Sequence, residues 1–340
     1  MKALFIGGTG TISSEISKLC VKRGWQLTVL NRGNAAARVP EGARVITADI
    51  HDEESVRKAL DGDYFDVVAD FIAYLPEHAE RDVRLFNGRC GQFFFISSAS
   101  AYQKPLASPY ITESTPLHNP YWQYSRSKAA CEDVLMNAYR QTGFPVTVIR
   151  PSHTYCERSV PVAIHGKNGS WQTLLRMRAG KPVIIPGDGT TLWTATHSRD
   201  FAVGFVGLMG NAHALGEAYH ITSDESNTWN QNYQSIAKAL GVELKAVHIA
   251  SETLAALSPD WVGALLGDKS NTVIFDNTKI KRAVPEFCCT TRYDQGVREA
   301  IAYIDSHPEY QRLDPDFDAW CDAVIEAYGK LADALPKFAP

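Results

Sequence analysis

The feature that most constrains this chain is a strict alternation of short apolar runs with helix-length amphipathic stretches. Apolar runs at 2–6, 26–30, 44–47, 65–69, 92–96 and 145–149 are separated by stretches of helical spacing at 13–23, 53–60, 76–86 and 123–141. Runs such as Phe93-Phe94-Phe95-Ile96 and Val146-Thr147-Val148-Ile149 lack polar alternation, as expected of strands covered on both faces. Each intervening helix crosses back to begin the next strand, so the rhythm predicts an α/β fold with a doubly wound parallel sheet.

After Arg150-Pro151 the rhythm breaks, with glycine and proline punctuation near 166–169 and 180–189. The pattern then predicts a strand at 217–222, a helix at 230–240, a strand at 245–249 and helices at 292–305 and 317–334. We therefore expect residues 1–165, with a returning segment at about 196–225, to form a dinucleotide-binding domain. Residues 166–195 and 226–340 are expected to form a smaller, discontinuous C-terminal substrate lobe with the terminal helices.

Composition narrows the class. With 340 residues, 45% apolar and 21% charged, the chain is long enough for a sizeable core and has no disordered or coiled-coil bias. A net charge of −4 supplies no global attraction to nucleic acid or anionic membrane. The opening residues show no basic stretch followed by a cleavable apolar segment, and no run is long enough to span a bilayer, so the protein reads as cytoplasmic. Seven scattered cysteines have neither zinc-site nor disulfide spacing and read as reduced, packed thiols; no metal site is expected.

Chemistry enters at the first turn. Gly7-Gly8-Thr9-Gly10-Thr11-Ile12 joins the first strand to the first helix. Glycines there let the backbone approach a pyrophosphate, which amide N–H groups and the helix N-terminus then hold. The second strand ends in Asn31-Arg32, where an acidic residue would favour NAD and an arginine the extra phosphate of NADP, so NADP is slightly favoured over NAD. Asp49 and Ile50, after the third strand, are placed at the adenine edge, and Phe71, after the fourth, is also expected to contact the cofactor.

A second constellation follows. Ser98 stands at a strand end, and Tyr124 and Lys128 lie four residues apart, on one face of a helix. An ammonium beside a phenol favours the phenolate, which suits Tyr124 to acid/base work near neutral pH, while Ser98 orients the substrate oxygen. Candidate substrate contacts are Ser100, Trp122, His153 and Trp193.

On Gly7-Gly8-Thr9-Gly10, Ser97-Ser98-Ala99-Ser100-Ala101-Tyr102, Tyr124-x-x-x-Lys128, Arg150-Pro151-Ser152 and His197-x-x-Asp200, the chain resembles an extended short-chain dehydrogenase/reductase of the NAD-dependent epimerase/dehydratase family. The resemblance implies a Rossmann domain, Tyr124 as acid/base, Lys128 on the nicotinamide ribose, Ser98 on the reacting hydroxyl and Pro151 near the cofactor. It also implies a carbohydrate substrate, with hydride removed and in many members returned, and a homodimer formed through a four-helix bundle that includes 123–141.

Departures qualify this. Ser13 replaces the third glycine of the loop. Ala99 and Ser100 stand where dehydratases carry an acidic pair, which argues against water elimination. Trp193 and Leu265 occupy positions where nucleotide-sugar epimerases bind the diphosphate with arginine. Arg158, His165, Lys167, Arg176, Arg178, Arg199 and Lys269 are the basic residues left to substitute. The expected function is an NAD(P)-dependent epimerase or dehydrogenase/reductase acting on a hydroxyl or keto carbon of a sugar or sugar derivative. Two alternatives are a nucleic-acid-binding relative of the chloroplast stem-loop-binding type, which acidity and the intact triad disfavour, and a non-catalytic cofactor sensor.

Overall fold

A computed structural model describes residues 1–33 and 36–336. It divides into two compact units. Unit 1 comprises Met1–Cys156, Thr194–Ser226 and Val273–Thr291. Unit 2 comprises Glu157–Trp193, Asn227–Thr272 and the chain from Arg292 onward.

Unit 1 is built on seven strands, β1 (Lys2–Ile6), β2 (Gln26–Asn31), β3 (Arg44–Thr47), β4 (Phe65–Asp70), β5 (Cys90–Ile96), β6 (Val146–Pro151) and β7 (Glu217–Ile221). All neighbours pair in parallel, in the order β7-β6-β5-β4-β1-β2-β3. Strand order reverses between β1 and β4, and ligands of such sheets bind at the carboxyl ends of strands beside that reversal.

The continuous apolar runs follow from two-sided burial. Ala3, Phe5, Val29, Val67, Ala69 and Phe94 point into one core, shared with Ile16 and Cys20 of α1 (Ser13–Lys22). Alternate residues Leu4, Ile6, Leu30, Val68, Phe93 and Phe95 enter the opposite core. There they meet α2 (Glu53–Leu60), α3 (Pro76–Phe86) and α4 (Gln123–Thr142) through Val56, Leu60, Ala79, Leu85, Phe86, Cys131 and Leu135.

One covering helix has no counterpart in the sequence reading: α5, Ser198–Leu208, which brings Phe201 and Phe205 to the first core. Its glycines resemble loop punctuation, but they serve close packing. A Cβ on Gly207 would stand 2.2 Å from Val284 Cγ1.

The unit boundary also differs from the expected one. Residues 157–165 belong to unit 2, whereas Val273–Thr291 returns to unit 1. Hydrogen bonds explain the return: strand Ile274–Phe275 pairs with Tyr110–Ile111, and Asn277 Nδ2 donates to Thr222 O. The Asp200 carboxylate accepts from Thr290 N, Thr290 Oγ1 and Thr291 N. His197 caps α5 by accepting from Arg199 N, so His197-x-x-Asp200 serves as a structural clasp within unit 1.

Unit 2 pairs strand Val183–Pro186 in parallel with Ala246–Ile249. Its helices are Trp171–Arg178, Trp229–Leu240, Ser251–Leu257, Tyr293–Ser306 and Pro315–Ala334, together with a π-helical turn at Val262–Lys269. Among the described residues no helix is long and apolar enough to cross a membrane.

Candidate active site

The loop after β1 holds two residues in the left-handed region, Gly7 at φ +100° and Gly8 at φ +61°. A Cβ on Gly8 would come within 2.8 Å of Val29 Cγ1. Glycine is therefore required twice over, by conformation and by space. Ser13, in place of a third glycine, accepts the Gly10 N–H on its Oγ at 2.8 Å, while Ser14 and Ser17 hydroxyls donate to Gly10 O and Gly8 O. The hydroxyls thus fasten the loop to α1. That helix begins after Ile12, which offers no side-chain cap.

A cleft of about 400 Å³ opens beside the loop. Gly7, Thr9, Asn31, Arg32, Asp49 and Ile50 line it, so six expected cofactor residues come together there. Gly10, Thr11 and Ile12 continue the loop outside that lining. Phe71 follows β4, with its ring edge-on to Phe5 at 5.3 Å, and Pro151 ends β6 in a buried position.

Asn31 Oδ1 accepts the Gly33 N–H, whereas its buried Nδ2 has no acceptor among the described residues. An orphaned donor, a glycine cradle without side chains and an exposed Arg32 fit a dinucleotide. Thr9 and the loop amides would hold the pyrophosphate, and Asn31 and Arg32 the adenosine ribose or its phosphate.

The cleft residues that the sequence reading missed include His51, His78 and Tyr74. The imidazoles of His51 and His78 lie 4.8 Å apart, with the buried Arg81 guanidinium 3.5 Å from His51 Nδ1. Tyr74 lines the cleft and also faces the second constellation. Its ring centre is 6.3 Å from that of Tyr124 and 4.4 Å from Lys128 Nζ. An aromatic residue in a loop after β4 carries no periodic signal, so only the fold reveals it.

Lys128 is 2% exposed, and its ammonium donates to Ala73 O and Ile96 O, both at 2.6 Å. Those bonds fix it at the ends of β4 and β5, with Nζ 5.7 Å from the Tyr124 ring centre. Burial pushes the Lys128 pKa down from 10.5 to about 8, against the opposing charges of Cys131, Asp70 and Glu132. Between about pH 8 and 10.5 the unfolded chain therefore binds more protons at this site than the folded one, and stability rises with pH across that window. Relative to Lys128→Met, the wild-type protein should gain about 2 kcal/mol between about pH 7.5 and pH 10. Urea unfolding of both proteins checks this; a stability gap independent of pH would sink the assignment.

Ser98 is half-buried, and its Oγ lies 2.8 Å from Ser100 Oγ. Ser125 Oγ donates to Ser100 Oγ at 2.7 Å, and Asn119 Nδ2 holds Ser100 O. Ser100 is buried and engaged, so the structure gives it a supporting position behind Ser98. Trp122 is half-buried, with its ring 5.1 Å from that of Tyr124. His153 lies half-buried in the short strand His153–Tyr155.

Trp193 requires correction. It is 4% exposed, tilted against Trp229 at 4.6 Å, with Lys269 Nζ 5.4 Å from its ring centre. Both neighbours belong to unit 2, and this environment makes Trp193 a packed core residue rather than an open stacking face. Of the basic residues left to substitute, Arg176 is paired with Asp318 and Asp322, Arg178 with Asp305, and Lys167 with Asp316. Lys269 is 8% exposed and has no ion pair among the described residues.

The parallel sheet, the glycine cradle and the Tyr124–Lys128 helix define an enzyme of the short-chain dehydrogenase/reductase class. The chain matches the NAD dependent epimerase/dehydratase family over residues 3–222 and belongs to it. Among its relatives, 2'-dehydrokanamycin reductase of Streptomyces kanamyceticus is 23% identical across 84% of this chain and 80% of that protein. The chloroplast stem-loop binding protein of 41 kDa b of Arabidopsis thaliana is 28% identical across 73% of this chain and 65% of that one. UDP-glucose 4-epimerase of Lactobacillus helveticus is 26% identical across 91% of this chain and 98% of that enzyme. The epimerase Mth375 of Methanothermobacter thermautotrophicus shares the fold, with a TM-score of 0.75 at 16% identity over 92% of this chain and 94% of that one.

Proposed function

We propose that this enzyme oxidises or reduces a hydroxyl or keto carbon of a sugar or sugar derivative, as an epimerase or as a net dehydrogenase/reductase, with NADP slightly favoured over NAD. The observation that carries the reading is Lys128, clamped by two carbonyls beside the Tyr124 ring. A fixed ammonium next to a phenol favours its ionised form, which equips Tyr124 to take the hydroxyl proton and to return it.

Ser98 orients the same oxygen. When Ser125 donates to Ser100 and Ser100 to Ser98, the Ser98 proton is turned outward toward substrate. Ala99 and Ser100 supply no carboxylate for water elimination, which disfavours a dehydratase. Bound NAD(P) supplies the hydride acceptor or donor. Trp122 and His153 stay in this reading as substrate contacts, and a homodimer through α4 belongs to it.

The relatives span a reductase and an epimerase, so retention of the cofactor separates the two forms. Mass spectrometry of small molecules released by denaturing the dialysed protein should find stoichiometric dinucleotide for a redox-neutral epimerase. An empty protein that binds added NADPH indicates net redox chemistry. Arg32→Ala should weaken NADP about tenfold or more, the scale of one lost charge-assisted contact, and NAD much less. Equal losses refute the ribose-phosphate role; binding of neither dinucleotide by the wild-type protein refutes the enzyme reading and promotes nucleic-acid binding.

A further inference from the structure

Within unit 1, the loop of residues 71–75 between β4 and α3 carries an exposed ring to which the reading above gives no role. The loop is pinned at both ends. Ile72 N donates to Asp70 Oδ1 at 2.6 Å, and Tyr74 N donates to His78 Nδ1 at 3.2 Å. Asp70 is fully buried and its other oxygen holds Arg81 at 2.7 Å, which fixes the first pin. The second pin is local to α3. Leu75 stands at its N-cap with no side-chain acceptor, and His78, three residues on, reaches back past it to take the Tyr74 N–H.

Two consecutive residues of the loop meet Lys128. Ala73 O accepts one N–H of the ammonium, and Ile96 O accepts a second. An ammonium has three donors, which leaves one for the surrounding rings. Tyr74 is the nearest of these, 4.4 Å from Nζ, ahead of Phe95 at 5.1 Å and Tyr124 at 5.7 Å. Phe95 is wholly buried, whereas Tyr74 is 45% exposed and lines the dinucleotide cleft. The Tyr74 ring therefore stands on the solvent side of an ammonium that is itself 2% exposed.

The contact is that of a neutral ring with a cation. Burial, with the Asp70 charge adding to it, pushes the Tyr74 phenol up, so the ring stays un-ionised. A ring cannot replace the hydrogen bonds of water, so covering an ammonium with one disfavours its charged form. Excluding water also strengthens the field that the charge, when present, exerts at Tyr124. For Nδ1 to accept the Tyr74 N–H, the His78 imidazole must be neutral with its proton on Nε2. Burial, and then the charges of Arg81 and His51, hold it in that form against Asp70 and Glu77.

We infer that Tyr74 is a positioning residue of the acid/base pair: its ring covers the Lys128 ammonium and keeps water from it, and His78 latches the ring there through the Tyr74 N–H. This rests on the reading above of Lys128 as the group that tunes Tyr124, and it adds the residues that set how readily Lys128 releases its proton.

The test is competitive labelling of the full-length, dialysed protein with acetic anhydride across the range in which lysines titrate, each lysine being read by peptide mass spectrometry. Tyr74→Ala should make Lys128 at least about tenfold weaker as an acid, because water then reaches the ammonium. Tyr74→Phe keeps the ring and should match the wild type. His78→Leu cannot accept the N–H and should move Lys128 in the same direction as Tyr74→Ala, while His78→Gln, whose amide oxygen accepts, should retain the wild-type acidity. Lys104, also 2% exposed and in the same unit, should stay unchanged throughout.

Lys128 acidity that ignores Tyr74→Ala overturns the proposal, as does an equal change at Lys104, which makes the effect a general loosening. A Tyr74→Phe protein that behaves like Tyr74→Ala transfers the effect from ring to hydroxyl and refutes the cover; a His78→Leu protein that behaves like the wild type refutes the latch. NADP titration of the same preparations keeps the two readings apart. Wild-type protein that fails to bind NADP while Lys128 responds as expected overturns the enzyme reading and leaves the cover standing; NADP binding with Lys128 indifferent to Tyr74→Ala overturns the cover alone.

Discussion

Tyr124→Phe should lower turnover about 10²–10⁴-fold while leaving dinucleotide affinity nearly unchanged. The substitution deletes one hydroxyl and preserves the ring that lies 5.1 Å from Trp122 and 6.3 Å from Tyr74, so the local packing survives. Lys128 keeps both carbonyl partners, because neither involves Tyr124. The expected loss therefore reports proton transfer, equivalent to about 3–5 kcal/mol of transition-state stabilisation. Single-turnover kinetics and NADP titration on one preparation separate chemistry from binding. Collapse of cofactor affinity with residual turnover intact would reverse the assigned roles of Tyr124 and the glycine cradle.

That site was legible in sequence to the extent that its parts recur at fixed intervals. The glycine turn sits between a strand and a helix, and Tyr124 and Lys128 share a helical face, so periodicity and spacing suffice for both. The strands of unit 1 were legible because a sheet buried on two faces leaves almost no polar residue in Leu4–Ile6 or Phe93–Ile96. Tyr74, His51 and His78 were not legible, since each reaches the cleft from a loop or a helix start whose placement depends on the whole sheet. Trp193 misled for a related reason: a tryptophan that packs on Trp229 and one that stacks on a sugar look alike until burial is known.

α5 was hidden by its glycines, and the return of residues 273–291 to unit 1 by the brevity of its only strand. The clasp formed by Asp200 on Thr290 and Thr291 joins residues about ninety positions apart, and no local pattern announces it.

The largest expected stability effect lies beneath the site. Glu132 is four residues beyond Lys128 on α4, and its carboxylate receives Arg150 through Nε at 3.0 Å and Nη2 at 2.6 Å, together with the Ser97 hydroxyl. Arg150 continues to Tyr102 Oη and Glu113 O, and Tyr102 to His220 Nδ1. The buried pair thus ties α4 to the ends of β5 and β6, and with them Tyr124 to Ser98.

Glu132→Leu should cost about 3–5 kcal/mol, because Arg150 is left charged and buried without its partner. Arg150→Met added to Glu132→Leu should recover most of that loss, since two apolar groups of similar volume no longer demand solvation. Activity should not return with stability, because the tie between α4 and the strand ends is gone. Urea unfolding and turnover of the single and double variants check both halves. If stability and turnover recover together, the pair is only a packing element; recovery of stability alone makes Glu132 and Arg150 the positioning residues that hold the acid/base helix in register with Ser98.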